Sequence, residues 1–185
     1  MLLAGAKSGV VYGLDPDDRG RILWSTKIAH GGSNGSILWG PASERGRTFV
    51  ATNEFEFETG KGPGALVAID NRTGKVLWRV PAPVLPCGWG STHCAQGQLG
   101  AVTAMPGIVF SGALDGRIRA YRSRDGAIVW EFDTGHPFPA VNGGDARGGG
   151  IDYGAQTLAD GMLFVQSGSM RQPGNALLAF SVDGK

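Results

Sequence analysis

Residues 112–135, GALDGRIRAYRSRDGAIVWEFDTG, decide the fold. Two runs rich in alternating apolar residues flank a polar segment that closes on Asp125-Gly126, the combination that marks a tight hairpin. Trp130 follows the turn glycine by four residues. Period-2 geometry sends Ile128, Trp130 and Phe132 to one side of the second strand, so that side is expected to be buried.

The pattern recurs upstream. VVYGLDPDDRGRILW ends at Trp24 and LVAIDNRTGKVLW at Trp78, each with a turn glycine (Gly20, Gly74) four residues before the tryptophan; the copies are spaced by 54 and then 52 residues. Val76, Trp78 and Val80 share the face that Ile128, Trp130 and Phe132 share in the later copy. A fourth copy, LLAFSVDGK, runs to Lys185. Further strands precede the repeats at 48–53 (TFVATN), 108–113 (IVFSGA) and 163–168 (LFVQSG), giving three or four antiparallel strands per unit.

One small sheet cannot cover both of its own faces, whereas radial stacking buries each face against the next unit. The sequence therefore predicts an all-β chain: a single partial β-propeller domain over 1–185, about three to four blades, with repeats ending near Trp24, Trp78, Trp130 and Lys185. The tryptophans are the wedges. Burying one removes about 150–250 Å² from water, roughly 4–6 kcal/mol gross.

Composition agrees. A chain of 185 residues with 42% apolar and 18% charged residues has the means to build a core, and its 32 glycines and 10 prolines lie between the apolar runs, as many short strands and turns require. Seventeen basic against sixteen acidic residues leave a net charge of +1, which gives no electrostatic case for nucleic acid or an anionic membrane surface. No apolar run approaches the ~18 residues of a membrane helix, and MLLAGAKSGVVYGLD does not read as a signal peptide.

Cys87 and Cys94 lie seven apart in CGWGSTHC, a spacing that suits a small disulfide-closed loop or two thiols in a loop, without a second pair for structural zinc. His93 precedes Cys94, so the order is not that of covalent haem attachment, and His30, His93 and His136 make no metal-ligand spacing.

The Ala-x-Asp-x-x-x-Gly-x-x-x-Trp flavour of VAIDNRTGKVLW resembles the tryptophan-docking motif of the pyrroloquinoline quinone dehydrogenases, whose propellers have eight blades. KSGVVYGLDPDDRGRILW, GIVFSGALDGRIRAY, VNG and GNALLAFSVDGK are similar, in that order, to the C-terminal half of the polyvinyl-alcohol type of this family. The resemblance implies a periplasmic quinoprotein that oxidises alcohol groups with pyrroloquinoline quinone and Ca²⁺ and passes electrons to a cytochrome c. It further implies that the amino-terminal blades, and haem c, reside on a missing segment or a partner. The isolated chain is then expected to be inactive or very weak, and to self-associate through its open propeller edge. A cofactor-free propeller of the same repeat type, scaffolding protein assembly, is the second reading.

The resemblance also suggests site residues. In GGSNGSILWGPASERGRTFVATNE, Trp39 follows a glycine-rich loop and precedes a strand, the setting in which the family's Trp-Gly forms the floor for the planar quinone; Asn53 matches the family's asparagine ligand to Ca²⁺, and Glu54 offers a further oxygen. Where many relatives carry their catalytic aspartate, LPCGWGSTHCAQGQ (85–98) has no carboxylate. The polar loop 134–156 instead gathers Asn142 and Arg147, which suit the quinone's oxygens, and Asp145 and Asp152, candidates for the base that accepts the substrate proton.

Overall fold

The computed structural model describes residues 1–32, 36–54, 64–83, 97–154, 156–169 and 173–183. Its first sheet holds β1 (Leu2–Gly5), β2 (Val10–Asp15) and β3 (Arg21–Lys27), with a 3-10 turn at Pro16–Asp18 capped by the Asp15 carboxylate. A second sheet follows as β4 (Ala42–Glu44), β5 (Arg47–Thr52), β6 (Ala65–Asp70) and β7 (Val76–Pro81). The third repeats that order with β8 (Thr103–Met105), β9 (Ile108–Gly112), β10 (Arg117–Arg122) and β11 (Ile128–Asp133). A hairpin of β12 (Pro137–Pro139) and β13 (Asp145–Arg147) intervenes before the last sheet, β14 (Gln156–Ala159), β15 (Met162–Ser167) and β16 (Ala176–Ser181). All pairings between these strands are antiparallel.

Stacking shows most clearly at β6. Its alternate residues serve two different cores: Ala65, Val67 and Ile69 pack with Val11, Ile28, Ile37 and Val50, while Leu66 and Ala68 pack with Phe49, Val109 and Tyr121. A strand buried on both faces reads as a near-continuous apolar run, as ALVAID does. Ile118, Ile151, Leu163 and Val165 form a third core between the third and last sheets. The short first strands approach one another, β4 against β8 and β8 against β14, so the sheets converge at that edge. This radial stack is a partial β-propeller, as the repeats predict.

Trp24 and Trp78 dock forward onto the next repeat. The Trp24 indole N–H donates to the Asn71 carbonyl at 2.8 Å and its ring covers Gly74; the Trp78 N–H donates to the Ser123 carbonyl at 3.1 Å and its ring covers Gly126. Those glycines have φ of 71° and 75°, and a Cβ on either would meet tryptophan carbons within 2.8 Å. Opposite each tryptophan on its own hairpin sits a small residue: Gly13 faces Trp24, Ala68 faces Trp78 and Ala120 faces Trp130.

One expectation needs correcting. Val76 and Ile128 are 46% and 40% exposed, although their alternation with Trp78 and Trp130 assigned them to the buried side. In all three hairpins the register slips at the small residue, between Gly13 and Leu14, Ala68 and Ile69, and Ala120 and Tyr121. That bulge inserts Leu23, Leu77 or Val129 and breaks the period-2 pattern beyond the tryptophan. Burial therefore runs from Trp78 to Val80 and from Trp130 to Phe132.

The segment 134–156 also departs from the loop expected for it. Pro137–Pro139 pairs with Asp145–Arg147, and Asn175 extends the pairing by accepting from the Arg147 N–H at 2.8 Å and donating to the Asp145 carbonyl at 3.1 Å. Trp130 packs on the last sheet: its ring meets Phe180 edge-on at 5.4 Å and lines a crevice of about 660 Å³ with Met105, Phe110, Leu158 and Val182. The turn glycine of that repeat, Gly184, lies outside the described residues, as do Cys87, Cys94 and His93.

Candidate cofactor site

The candidate site forms where connections between sheets meet. Residues 36–40 are held at nearly every position: the Ser36 carbonyl accepts from the Asn53 N–H at 2.7 Å, Ile37 is buried in the first core, and Leu38 packs on Leu99 and Leu114. The Gly40 carbonyl accepts from the Val102 N–H at 3.0 Å. Between these anchors Trp39 remains 42% exposed, so its ring is offered to solvent while its backbone is fixed.

Tyr153 is the aromatic partner that sequence inspection missed. Its ring meets Trp39 at 5.3 Å between centroids and an interplanar angle of 67°. The two segments are joined through 101–102, since the Tyr153 carbonyl accepts from the Ala101 N–H at 2.7 Å. Tyr153 has φ of 59°, a left-handed conformation that costs a bulky residue about 1–2 kcal/mol. Asp152 precedes it, 8% exposed, with its carboxylate accepting from the Tyr153 N–H at 2.7 Å. Trp39 and Tyr153, from distant stretches of the sequence, thus meet, with Asp152 holding the Tyr153 backbone.

Asn53 is 4% exposed at the end of β5, and its amide oxygen lies where a Cβ on residue 97 would fall, so Gly97 leaves the room it occupies. The Glu54 carboxylate is engaged by the His30 N–H at 3.3 Å and by Arg79 at 3.7 Å, and Arg79 in turn donates to the Ile28 carbonyl at 2.6 Å. Glu54 Oε1 is nonetheless buried without a hydrogen bond. The Asn53 amide oxygen and the Glu54 carboxylate are of the hard type that Ca²⁺ takes, but they amount to three of the roughly six to eight oxygens it requires. Among the described residues no cluster of three or more His, Cys, Asp or Glu forms. For a planar quinone the fit is better, because a half-exposed indole on a fixed backbone is a stacking surface.

Asn142, Asp145 and Arg147 stand apart on the exposed β12–β13 hairpin. The Asn142 side chain accepts from the Gly144 N–H at 3.2 Å, closing the hairpin turn, and Asp145 and Arg147 are tied to Asn175 through their backbones. Asp152 is the carboxylate of this segment that adjoins Tyr153, the residue whose ring meets Trp39.

A second feature missed in the sequence is a buried ion network in the third sheet. Arg119, with no exposed surface, pairs with Asp115 at 2.6 Å and Glu131 at 2.5 Å, while Arg117 pairs with Glu131 and Asp133. Burial alone would lower the Arg119 guanidinium's pKa, but Asp115, Tyr121 and Glu131 together raise it. Beside it Gln98 donates to the Tyr121 hydroxyl at 3.0 Å and accepts from Ser111 at 3.1 Å. Burial pushes Tyr121 up to about 12.

Sheets stacked by forward-docking tryptophans, with an exposed aromatic ledge where their connections meet, define a partial β-propeller of the quinoprotein type. The chain belongs to the PQQ_2 family: that family's model, described as outer membrane protein assembly factor BamB, matches residues 7–148. Polyvinylalcohol dehydrogenase from a Pseudomonas species is 38% identical over the whole of this chain, which spans 30% of that relative's length. Two solved structures share the fold. BamB from Moraxella catarrhalis matches 99% of this chain and 44% of its own at TM-score 0.63 and 22% identity. Quinohemoprotein alcohol dehydrogenase ADHIIG from Pseudomonas putida HK5 matches 99% of this chain and 31% of its own at TM-score 0.69 and 19% identity. Among the described residues no helix is long and apolar enough to cross a membrane.

Proposed function

We propose that this chain forms part of a periplasmic pyrroloquinoline quinone-dependent dehydrogenase of the polyvinyl-alcohol type, which oxidises alcohol groups and delivers electrons to a cytochrome c. The observation that carries the reading is Trp39, anchored on both sides yet 42% exposed, in a chain 38% identical to a polyvinylalcohol dehydrogenase. Trp39 is the floor on which the quinone stacks. Asn53 and Glu54 give oxygens to Ca²⁺. When bound, the quinone supplies the electron sink for alcohol oxidation. Asp152, buried next to Tyr153 of the aromatic ledge, is the carboxylate that takes the substrate proton; Asn142, Asp145 and Arg147, on the separate hairpin, are left outside this role. Haem c resides outside these residues.

The scaffold reading draws on the BamB-described family model and the BamB neighbour. Calorimetric titration of the chain with pyrroloquinoline quinone and Ca²⁺ separates the two. Saturable heat that is lost in Asn53→Ala supports the dehydrogenase, and no heat of binding supports the scaffold. Among the described residues β16 is an edge strand of the last sheet and its Leu177 is 72% exposed, and self-association of the chain is proposed to run through it. Size-exclusion chromatography tests that point, a monomer at all concentrations counting against it.

A further inference from the structure

We propose that Tyr153 is a positioning residue for Trp39: it fixes the tilt of the indole so that one face is presented to a planar quinone. The inference rests on the reading of Trp39 as the quinone floor, and it starts from a mismatch between conformation and side chain.

Residue 153 has φ of 59°, where glycine is the favoured residue, and a glycine is present one position later at 154. A tyrosine is kept at the unfavourable position instead. Core packing does not account for it, because the residue is 43% exposed. Among the described residues the ring's aromatic contact is with Trp39, at 5.3 Å and 67°.

The surroundings enforce the strained conformation. Ile151 is fully buried and its N–H donates to the Ala113 carbonyl at 3.0 Å, the Asp152 carboxylate holds the Tyr153 N–H, and the Ala101 N–H holds the Tyr153 carbonyl. A bulky residue held in a sparsely populated region by an over-determined backbone is the pattern found where strain serves a site. Its product here is geometric. Two rings inclined at 67° make an aromatic corner, and the indole in such a corner cannot swing toward the phenol without collision. Trp39 therefore meets a ligand already oriented, and the ordering entropy is removed from the binding step.

The test separates strain from aim. In Tyr153→Gly the backbone relaxes, so thermal stability is expected to hold or rise, while in Tyr153→Leu both bulk and strain remain without an aromatic partner. Tyr153→Phe keeps the corner. The tryptophan region of the near-ultraviolet circular dichroism, taken as the difference between the chain and its Trp39→Phe variant, reports the indole's fixed orientation. That difference is expected to persist in Tyr153→Phe and to collapse in Tyr153→Gly and Tyr153→Leu. Affinity for pyrroloquinoline quinone is expected to fall roughly three- to tenfold in the latter two, the size of losing one aromatic pair. An unchanged Trp39 signal in Tyr153→Gly overturns the proposal, as does unchanged quinone affinity. Failure of the unsubstituted chain to bind quinone overturns the floor reading instead, and the dichroism still decides whether Tyr153 sets the indole.

Discussion

The indole of Trp78 donates its N–H to the Ser123 carbonyl at 3.1 Å while its ring lies against Gly126 of the same turn, so one side chain ties two sheets by a hydrogen bond and by contact. Gly126→Ala would place a methyl 2.7–2.8 Å from Val80 and Trp78 at a φ of 75°. Left-handed strain and overpacking together predict a loss of about 2–4 kcal/mol. Gly20 has the same φ, 76°, but nothing lies within 4 Å of its Cβ position. Gly20→Ala should therefore cost only about 1 kcal/mol. Urea unfolding of the two variants measures the difference, and equal losses would remove the docking contact from the account.

Arg119 and Asp115 form a fully desolvated pair at 2.6 Å, which makes the penalty for splitting them large. Asp115→Ala is expected to cost about 3–5 kcal/mol, because a buried guanidinium loses its one fully buried counter-charge, Glu131 being a third exposed. Replacing both, as Asp115→Leu with Arg119→Met, is expected to cost markedly less than Asp115→Ala alone. Denaturation midpoints of the two variants decide it.

Tyr121 sets an alkaline limit. Its folded value of about 12 lies above the ordinary value of 10.0, so the folded chain keeps a proton that the unfolded chain releases. The contribution is complete below pH 10 and is lost as the pH rises through about 12. Tyr121→Phe should remove that part of the pH dependence and cost roughly 1 kcal/mol at neutral pH, where the Gln98 amide loses its acceptor. Comparing unfolding free energies of the two proteins between neutral and strongly alkaline pH checks both.

The repeat arithmetic was enough to reveal the stacked sheets, because Gly20, Gly74 and Gly126 with their tryptophans mark each unit locally. The bulge opposite Trp78 was not legible: alternation alone put Val76 inside, and only the slip in register between Ala68 and Ile69 turns it outward. Nothing in the sequence singles out Arg117 and Arg119; it is the hairpin register that sets them across from Asp133 and Glu131. For the site, the resemblance supplied Trp39 and Asn53, yet Tyr153 carries no signal in one dimension. It sits in a glycine-rich stretch, and its meeting with Trp39 depends on 101–102 bridging two loops. The hairpin at 137–147 escaped because prolines and glycines read as loop, while its pairing is completed by Asn175, far along the chain.

The most direct measurement of the central claim is equilibrium binding of pyrroloquinoline quinone, with Ca²⁺ present, to this chain and to its Trp39→Ala variant. Because Trp39 is 42% exposed, the substitution should leave the melting temperature nearly unchanged. Saturable binding by the unsubstituted chain that drops at least tenfold in the variant, about 1.4 kcal/mol, is the predicted result. Equal binding by both, or none by either, would contradict it.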